Sequence, residues 1–257
     1  LKKTYFFTKK EDIGLKPDGA AVGNTAKVSY LEKRHQQGVV DLDWVNRDWT
    51  LALAMKTTRF WWLIVAFVSG LYAWYAIQVH QTRYLIDVGI SSEAAAVALG
   101  LVGLGGIVGQ IGIGYLSDQI GREWAWTISI TGFFAAYLLM LLLRIWPEPW
   151  LMYLMVGIQG MIGYGLSTVF AAVSADLFSG KHYGKIFGIL ASAASGGAAL
   201  GPWLTGLLFD FSGNYDKAFY VALSVCGISV VSMWLASPSK VRRVAGRTPK
   251  PDKSNYS

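Results

Sequence analysis

The chain has 257 residues, of which 53% are hydrophobic and only 15% charged, whereas a soluble domain carries about 25% charged residues. Those figures exclude an ordinary soluble enzyme, a disordered chain and a collagen-like repeat, and the single cysteine, Cys226, excludes an internal disulfide. The formal net charge of +7 comes without a basic groove interleaved with stacking aromatics, which excludes nucleic acid as a partner.

Residues 1–59 begin polar and charged and read as a loop. Near its end, Asp48 is placed to N-cap a short helix whose Trp49, Leu51, Leu53 and Met55 would lie in a membrane interface ahead of Lys56 and Arg59. Trp61 and Trp62 then fall at headgroup depth. Six runs without Asp, Glu, Lys, Arg or His follow: 60–79, 94–117, 124–143, 149–175, 186–209 and 218–239. The shortest has 20 residues, and a helix of that length rises about 30 Å, the thickness of the hydrocarbon core. None alternates polar with apolar, so spanning β-strands are excluded. The predicted fold is an all-α membrane protein with a six-helix bundle over 60–239 and a basic tail over 240–257. Both flanking segments read as flexible.

Sidedness follows from Lys and Arg. With six crossings, twenty of these residues fall on one side and three, Arg83, Arg144 and Lys217, on the other. The positive-inside rule places the richer side, with both ends of the segment, in the cytoplasm of a plasma (inner) membrane. The tail's Lys240, Arg242, Arg243 and Arg247 serve as topological anchors, with anionic lipid as a second use. Leu1 is not an initiator Met and no signal peptide precedes the loop, as in a segment taken from a longer protein.

Between the second and third spans the chain reads Gly114-Tyr115-Leu116-Ser117-Asp118-Gln119-Ile120-Gly121-Arg122-Glu123. Such a turn needs a residue free of backbone restriction at Gly121 and a cation, Arg122, to meet a carboxylate or carbonyl. It resembles the G-x-L-S-D-x-x-G-R signature of the major facilitator superfamily, in the copy between that family's eighth and ninth helices. The stretch from Asp12 to Gly19 is similar to the central loop of monocarboxylate-transporter-like members. His80 with Tyr84 to Ser91 is similar to their seventh-to-eighth connection. The resemblance implies the C-terminal bundle of a twelve-helix fold, with a missing N-terminal six-helix half as partner. It also implies gating by Asp118, Gly121 and Arg122, with Asp118 against a helix N-terminus of the other half. The alternative is that these residues only shape the turn.

Polar groups at membrane depth face a cavity or another helix. The substrate-binding candidates are Tyr72, Tyr75, Gln78, Gln110, Gln159 and Tyr164, and interhelical hydrogen bonding is the competing use of the hydroxyls. Gln159, Gly163 and Ser167, four apart, are expected to share a helix face beside Tyr164. By the resemblance, Gln110 stands where oxalate, formate and monocarboxylate transporters often carry an arginine. A neutral amide offers no guanidinium fork, so weight moves from an organic acid towards a neutral or amphipathic solute. Gly105 and Gly109 are spaced for a close helix crossing, and Gly201-Pro202 reads as a kink. His80, at the outer end of its span, is either a pH switch or a simple helix-end residue.

The chain is read as half of a secondary transporter of a small organic solute, working by alternating access. Catalytic residues, cofactor and metal are all expected to be none: His35, His80 and His182 are scattered, and no His-Glu-x-x-His or Gly-x-Ser-x-Gly occurs. The competing reading is a non-transporting receptor or assembly protein that retains the fold.

Overall fold

The computed structural model describes residues 38–248. Residues 1–37 and 249–257, with the Asp12 to Gly19 resemblance, lie outside the described residues. Nine α-helices run, among the described residues, as α1 (Leu42–Val45), α2 (Leu51–Met55), α3 (Thr58–Asp87), α4 (Ser92–Ile120), α5 (Arg122–Leu143), α6 (Pro149–Met161), α7 (Leu166–Phe178), α8 (Tyr183–Ser212) and α9 (Asp216–Ala236). Six segments are long and apolar enough to cross a membrane: α3, α4, α5, α6 with α7, α8, and α9 extended to Lys240. Each charge-free run lies within one of them. The helices outrun the runs because their ends carry charges and caps into the headgroup layer. Thr57 accepts from the Phe60 amide, and Ser91 accepts from the Ala94 amide at 3.2 Å.

α3 packs against α8 and α9, α4 against α6, and α5 against α9 and α6. Close approach at two crossings depends on glycine. A Cβ on Gly201 of α8 would stand 2.5 Å from the Tyr72 carbonyl oxygen of α3, and one on Gly109 of α4 would stand 2.5 Å from the Gly160 oxygen of α6. Gly105 and Gly109 therefore form the expected crossing. Buried hydroxyls and indoles stitch the bundle through carbonyl groups, which matters where no water can substitute. The Tyr137 hydroxyl donates to Ala73 O at 2.7 Å, and Trp126 Nε1 donates to Ser229 Oγ, which donates to Ala66 O at 2.8 Å.

Three expectations are corrected. The fourth span is not one regular helix: it breaks after Met161, passes through a 3₁₀ turn at Gly163–Gly165 and resumes as α7. Gln159, Gly163 and Ser167 therefore do not share a continuous face, because the change from 3.6 to about 3 residues per turn resets the angular register. The interfacial helix is capped by Thr50 rather than Asp48. Trp49 turns inward, only 1% exposed, and its Nε1 donates to Trp44 O at 2.9 Å. Trp44 Nε1 in turn donates to Leu177 O of α7 at 2.7 Å. Leu53, Met55, Trp61 and Trp62 remain exposed, as an interfacial segment requires.

The third correction concerns the tail. Instead of hanging free, residues 238–248 fold over the α4–α5 turn in two 3₁₀ turns, Pro238–Lys240 and Ala245–Arg247. The Arg243 amide donates to Gly38 O at 2.6 Å and the Val40 amide to Val241 O at 2.9 Å, around a β-bridge between Val39 and Arg242. Both described ends thus meet on the same face of the bundle. Gly246 lies on the backbone of Gln119, where a Cβ would come within 2.5 Å of Gln119 Cα.

Pro202 sits inside α8, which continues from Tyr183 to Ser212 without interruption. The His80 ring lies 3.0 Å from Pro202 O by Nε2 and 3.3 Å from the Tyr215 hydroxyl by Nδ1. Gly206 leaves room for the imidazole. Burial and the nearby Asp87 carboxylate push the Tyr215 phenol above its ordinary value, so its O–H persists as the donor to Nδ1.

Candidate functional site: a membrane-embedded aromatic cluster and a charged turn

Two groups of candidate residues emerge, one at depth and one at the basic face. At depth, Trp74, Tyr75 and Gln78 lie on α3, within one turn of each other. Tyr164 meets them because the helix break after Met161 swings it off the α6 axis. Its hydroxyl donates to Gln78 Oε1, and its ring lies 4.6 Å from that of Trp74. Phe133 of α5 backs Trp74 at 5.9 Å. Gly106 of α4 makes the space, since a Cβ there would run into the Tyr164 ring. Tyr75 is exposed and Gln78 half-buried. With its oxygen occupied, the Gln78 amide keeps its NH₂ donors for another group. The arrangement offers aromatic faces and a neutral hydrogen-bond donor, with no formal charge.

The other depth candidates lie apart from this cluster. Tyr72 is buried with no partner for its hydroxyl, against Gly201 of α8. Gln159 is fully buried beside the α4–α6 crossing, and both its amide atoms lack a partner. Gln110 is half-buried on α4. Of the six expected residues the structure brings together Tyr75, Gln78 and Tyr164. Trp74 and Phe133, which complete the cluster, were missed, because a Trp or Phe in an apolar run gives no polar signal.

At the basic face, α4 ends at Ile120, and Gly121 takes φ +106° before α5 begins at Arg122. A side chain is strained in that conformation, which is why glycine stands there. Arg122 Nη1 lies 2.7 Å from Asp118 Oδ1 and 2.8 Å from Ser117 Oγ, and its Nε lies 2.8 Å from Asp176 Oδ2 of α7. Arg122 and Asp176 are 14% and 17% exposed at their side chains, whereas Asp118 is 55% exposed. The energetic weight therefore falls on Asp176. An exposed i,i+4 pair contributes about 0.3–0.5 kcal/mol, while removing one partner of a buried pair costs about 3–5 kcal/mol, an upper bound for this partly wet one. Asp118 keeps most of its surface for a further contact. Asp176 was missed, although it ends the fourth charge-free run on the same side as Arg122. Glu123, also missed, is 3% exposed and accepts from the Ser239 amide at 2.8 Å, tying α5 to the end of α9.

The profile of the Major Facilitator Superfamily matches residues 5–168 and again 62–255. The chain belongs to the major facilitator superfamily. Among relatives of this superfamily member, the tetracycline resistance protein, class H, of Pasteurella multocida is 31% identical over 140 residues, 54% of this chain and 34% of that protein. The MFS-type transporter ucsD of an Acremonium species is 35% identical over 77 residues, 30% of this chain and 13% of its own length. Autophagy-related protein 22 of Neurospora crassa is 24% identical over 95 residues, 37% of this chain and 13% of its own. The matched stretch thus spans about a third of these relatives' length or less. Six apolar helices and the family match make this a multi-pass membrane protein of the major facilitator superfamily.

Proposed function

We propose that the chain is the C-terminal six-helix half of a secondary transporter that moves a small neutral or amphipathic organic solute by alternating access. The observation that carries this reading is the Tyr164–Gln78 hydrogen bond at a helix break, faced by Trp74 and Tyr75. Irregular backbone at membrane depth occurs where it lines a cavity or is buried in protein, and transporter sites favour such interrupted helices. An aromatic face with a neutral donor suits a solute bearing carbonyl or hydroxyl groups on an apolar frame. The name of the Pasteurella relative, a tetracycline resistance protein, is in keeping with a substrate of that kind. The similarity of His80 to Ser91, and of Asp12 to Gly19, to monocarboxylate-type members would instead favour an organic acid. Gln110 in place of their arginine weighs against it.

In this reading Asp118, Gly121 and Arg122 form a gate closed against the N-terminal half, and the basic face is cytoplasmic in the plasma membrane. Uptake by the full-length protein in proteoliposomes tests the proposal. A panel of neutral amphipathic solutes should show saturable uptake that Gln78→Ala lowers at least tenfold, with small carboxylates carried poorly. Carboxylate uptake unaffected by Gln78→Ala would restore the organic-acid reading. Absence of flux for every solute that binds would favour a receptor with this fold.

A further inference from the structure

Beneath the folded tail, two adjoining cavities of about 460 and 520 Å³ flank the α4–α5 turn. One of them is lined by Gly121, Glu123 and Ser239 together with Arg122, Arg242, Arg243 and Arg247. The charges do not cancel. Arg122 is already engaged by Asp118 and Asp176, and the Glu123 carboxylate accepts from the Ser239 amide. Arg242, Arg243 and Arg247 have no ion-pair partner among the described residues. Arg242 Nε is buried without an acceptor, a costly state that a bound anion would relieve. The Arg247 guanidinium stands about 4.0 Å from the Cβ position of Gly121. Arg242, Arg243 and Arg247 all line this one cavity, and guanidinium forks are the groups that best match phosphate oxygens.

The depth of this cavity points to the source of the anion. Trp124 follows Glu123 by one residue, and Trp234 lies five residues before Ser239. The two indoles meet edge-on at 5.2 Å, both exposed, with Trp234 Nε1 donating to Thr127 Oγ1 at 3.0 Å. Exposed indoles at helix ends mark the headgroup layer. We propose that the Arg242–Arg243–Arg247 cavity binds a phosphate-bearing anion, and that the adjacent indole pair identifies it as the headgroup of an anionic phospholipid. Binding there fastens the tail over the turn that carries Arg122, and so couples lipid composition to the charged turn independently of which solute is carried.

The test is native mass spectrometry of the full-length protein titrated with phosphatidylglycerol, phosphatidylcholine or glycerol phosphate. Phosphatidylglycerol should bind at least tenfold more tightly than phosphatidylcholine. The R242Q/R243Q/R247Q variant should lose that preference, while the control K56Q/K181Q/K185Q, which removes equal charge from elsewhere on the same face, should keep it. The single variant Arg247→Gln, in an exposed turn, should weaken binding about threefold with unchanged melting temperature, which guards against misfolding of the triple variant. Binding of glycerol phosphate with the same arginine dependence would keep the phosphate site but assign it a soluble ligand, overturning the lipid assignment. Equal loss in the control variant, or no preference for phosphatidylglycerol in the unmodified protein, would overturn the site itself.

Discussion

Asp118 and Asp176 both meet Arg122, yet their exposures separate what each can do. Replacing Asp176 by Asn leaves a partly buried guanidinium short of a partner, and about 2–3 kcal/mol of stability should be lost, read as a drop in melting temperature in detergent. Replacing Asp118 by Asn should leave the melting temperature within a degree or two and lower uptake at equal abundance. Unchanged uptake would mean that Asp118 shapes the turn and nothing more. His80 joins α3 to α8 through Pro202 O and to the following loop through Tyr215. With Nε2 donating to the carbonyl and Nδ1 accepting from the phenol, one ring meets both contacts. His80→Gln should break this bridge and lower the melting temperature in detergent; an unchanged melting temperature would show that the bridge contributes nothing to stability. Residues such as Asp118, Gly121 and Arg122 were legible because their types and spacing are set by the turn itself. Asp176, Glu123 and Trp74 were not, since what gives them a role is a neighbour on another helix.

At the scale of elements, the charge-free runs located all six crossings, because hydrocarbon excludes charge whatever the packing. The break in the fourth was hidden. Gly163-Tyr164-Gly165 continues the apolar run without a Pro or a charge, and glycine is common in membrane helices. At the break the backbone runs close to neighbouring helices: a Cβ on Gly163 would meet the Phe133 ring and one on Gly165 the Ile113 side chain. The α3–α8 crossing is equally dependent on absent side chains. Gly201→Val should overpack it against the Tyr72 carbonyl and cost about 1–3 kcal/mol, seen as a lower melting temperature or loss of the monodisperse peak. By contrast Gly196→Ala, with open space around it, should leave stability unchanged or slightly raise it. A loss as large as that of Gly201→Val would show that the helix face around Gly196 is covered.

For the whole molecule, the one-sided distribution of Lys and Arg and the meeting of residues 38–40 with 241–243 place both described ends on the same face. Residues 38–41 and 240–248 read from sequence as parts of unstructured polar segments because their order comes from an isolated β-bridge and from the Gly246 contact, neither of which leaves a periodic pattern. Broad apolar faces of α4 and α8 remain uncovered, with Leu104, Ile111, Leu200 and Trp203 exposed. Expressed alone, this six-helix segment should self-associate or melt well below the full-length protein; a robust monomer would contradict the need for a second half. The central claim is that the cluster of Trp74, Tyr75, Gln78 and Tyr164 faces a pathway opened in turn to each side of the membrane. Tyr75→Cys in the full-length protein, labelled with an impermeant thiol reagent from either side of the bilayer, tests it most directly, since the one native cysteine of this segment, Cys226, is buried. The account predicts labelling from both sides, with saturating solute protecting the site and Asp118→Asn shifting the balance towards the basic face. Labelling from one side only, unchanged by solute and by the Asp118 substitution, would contradict it.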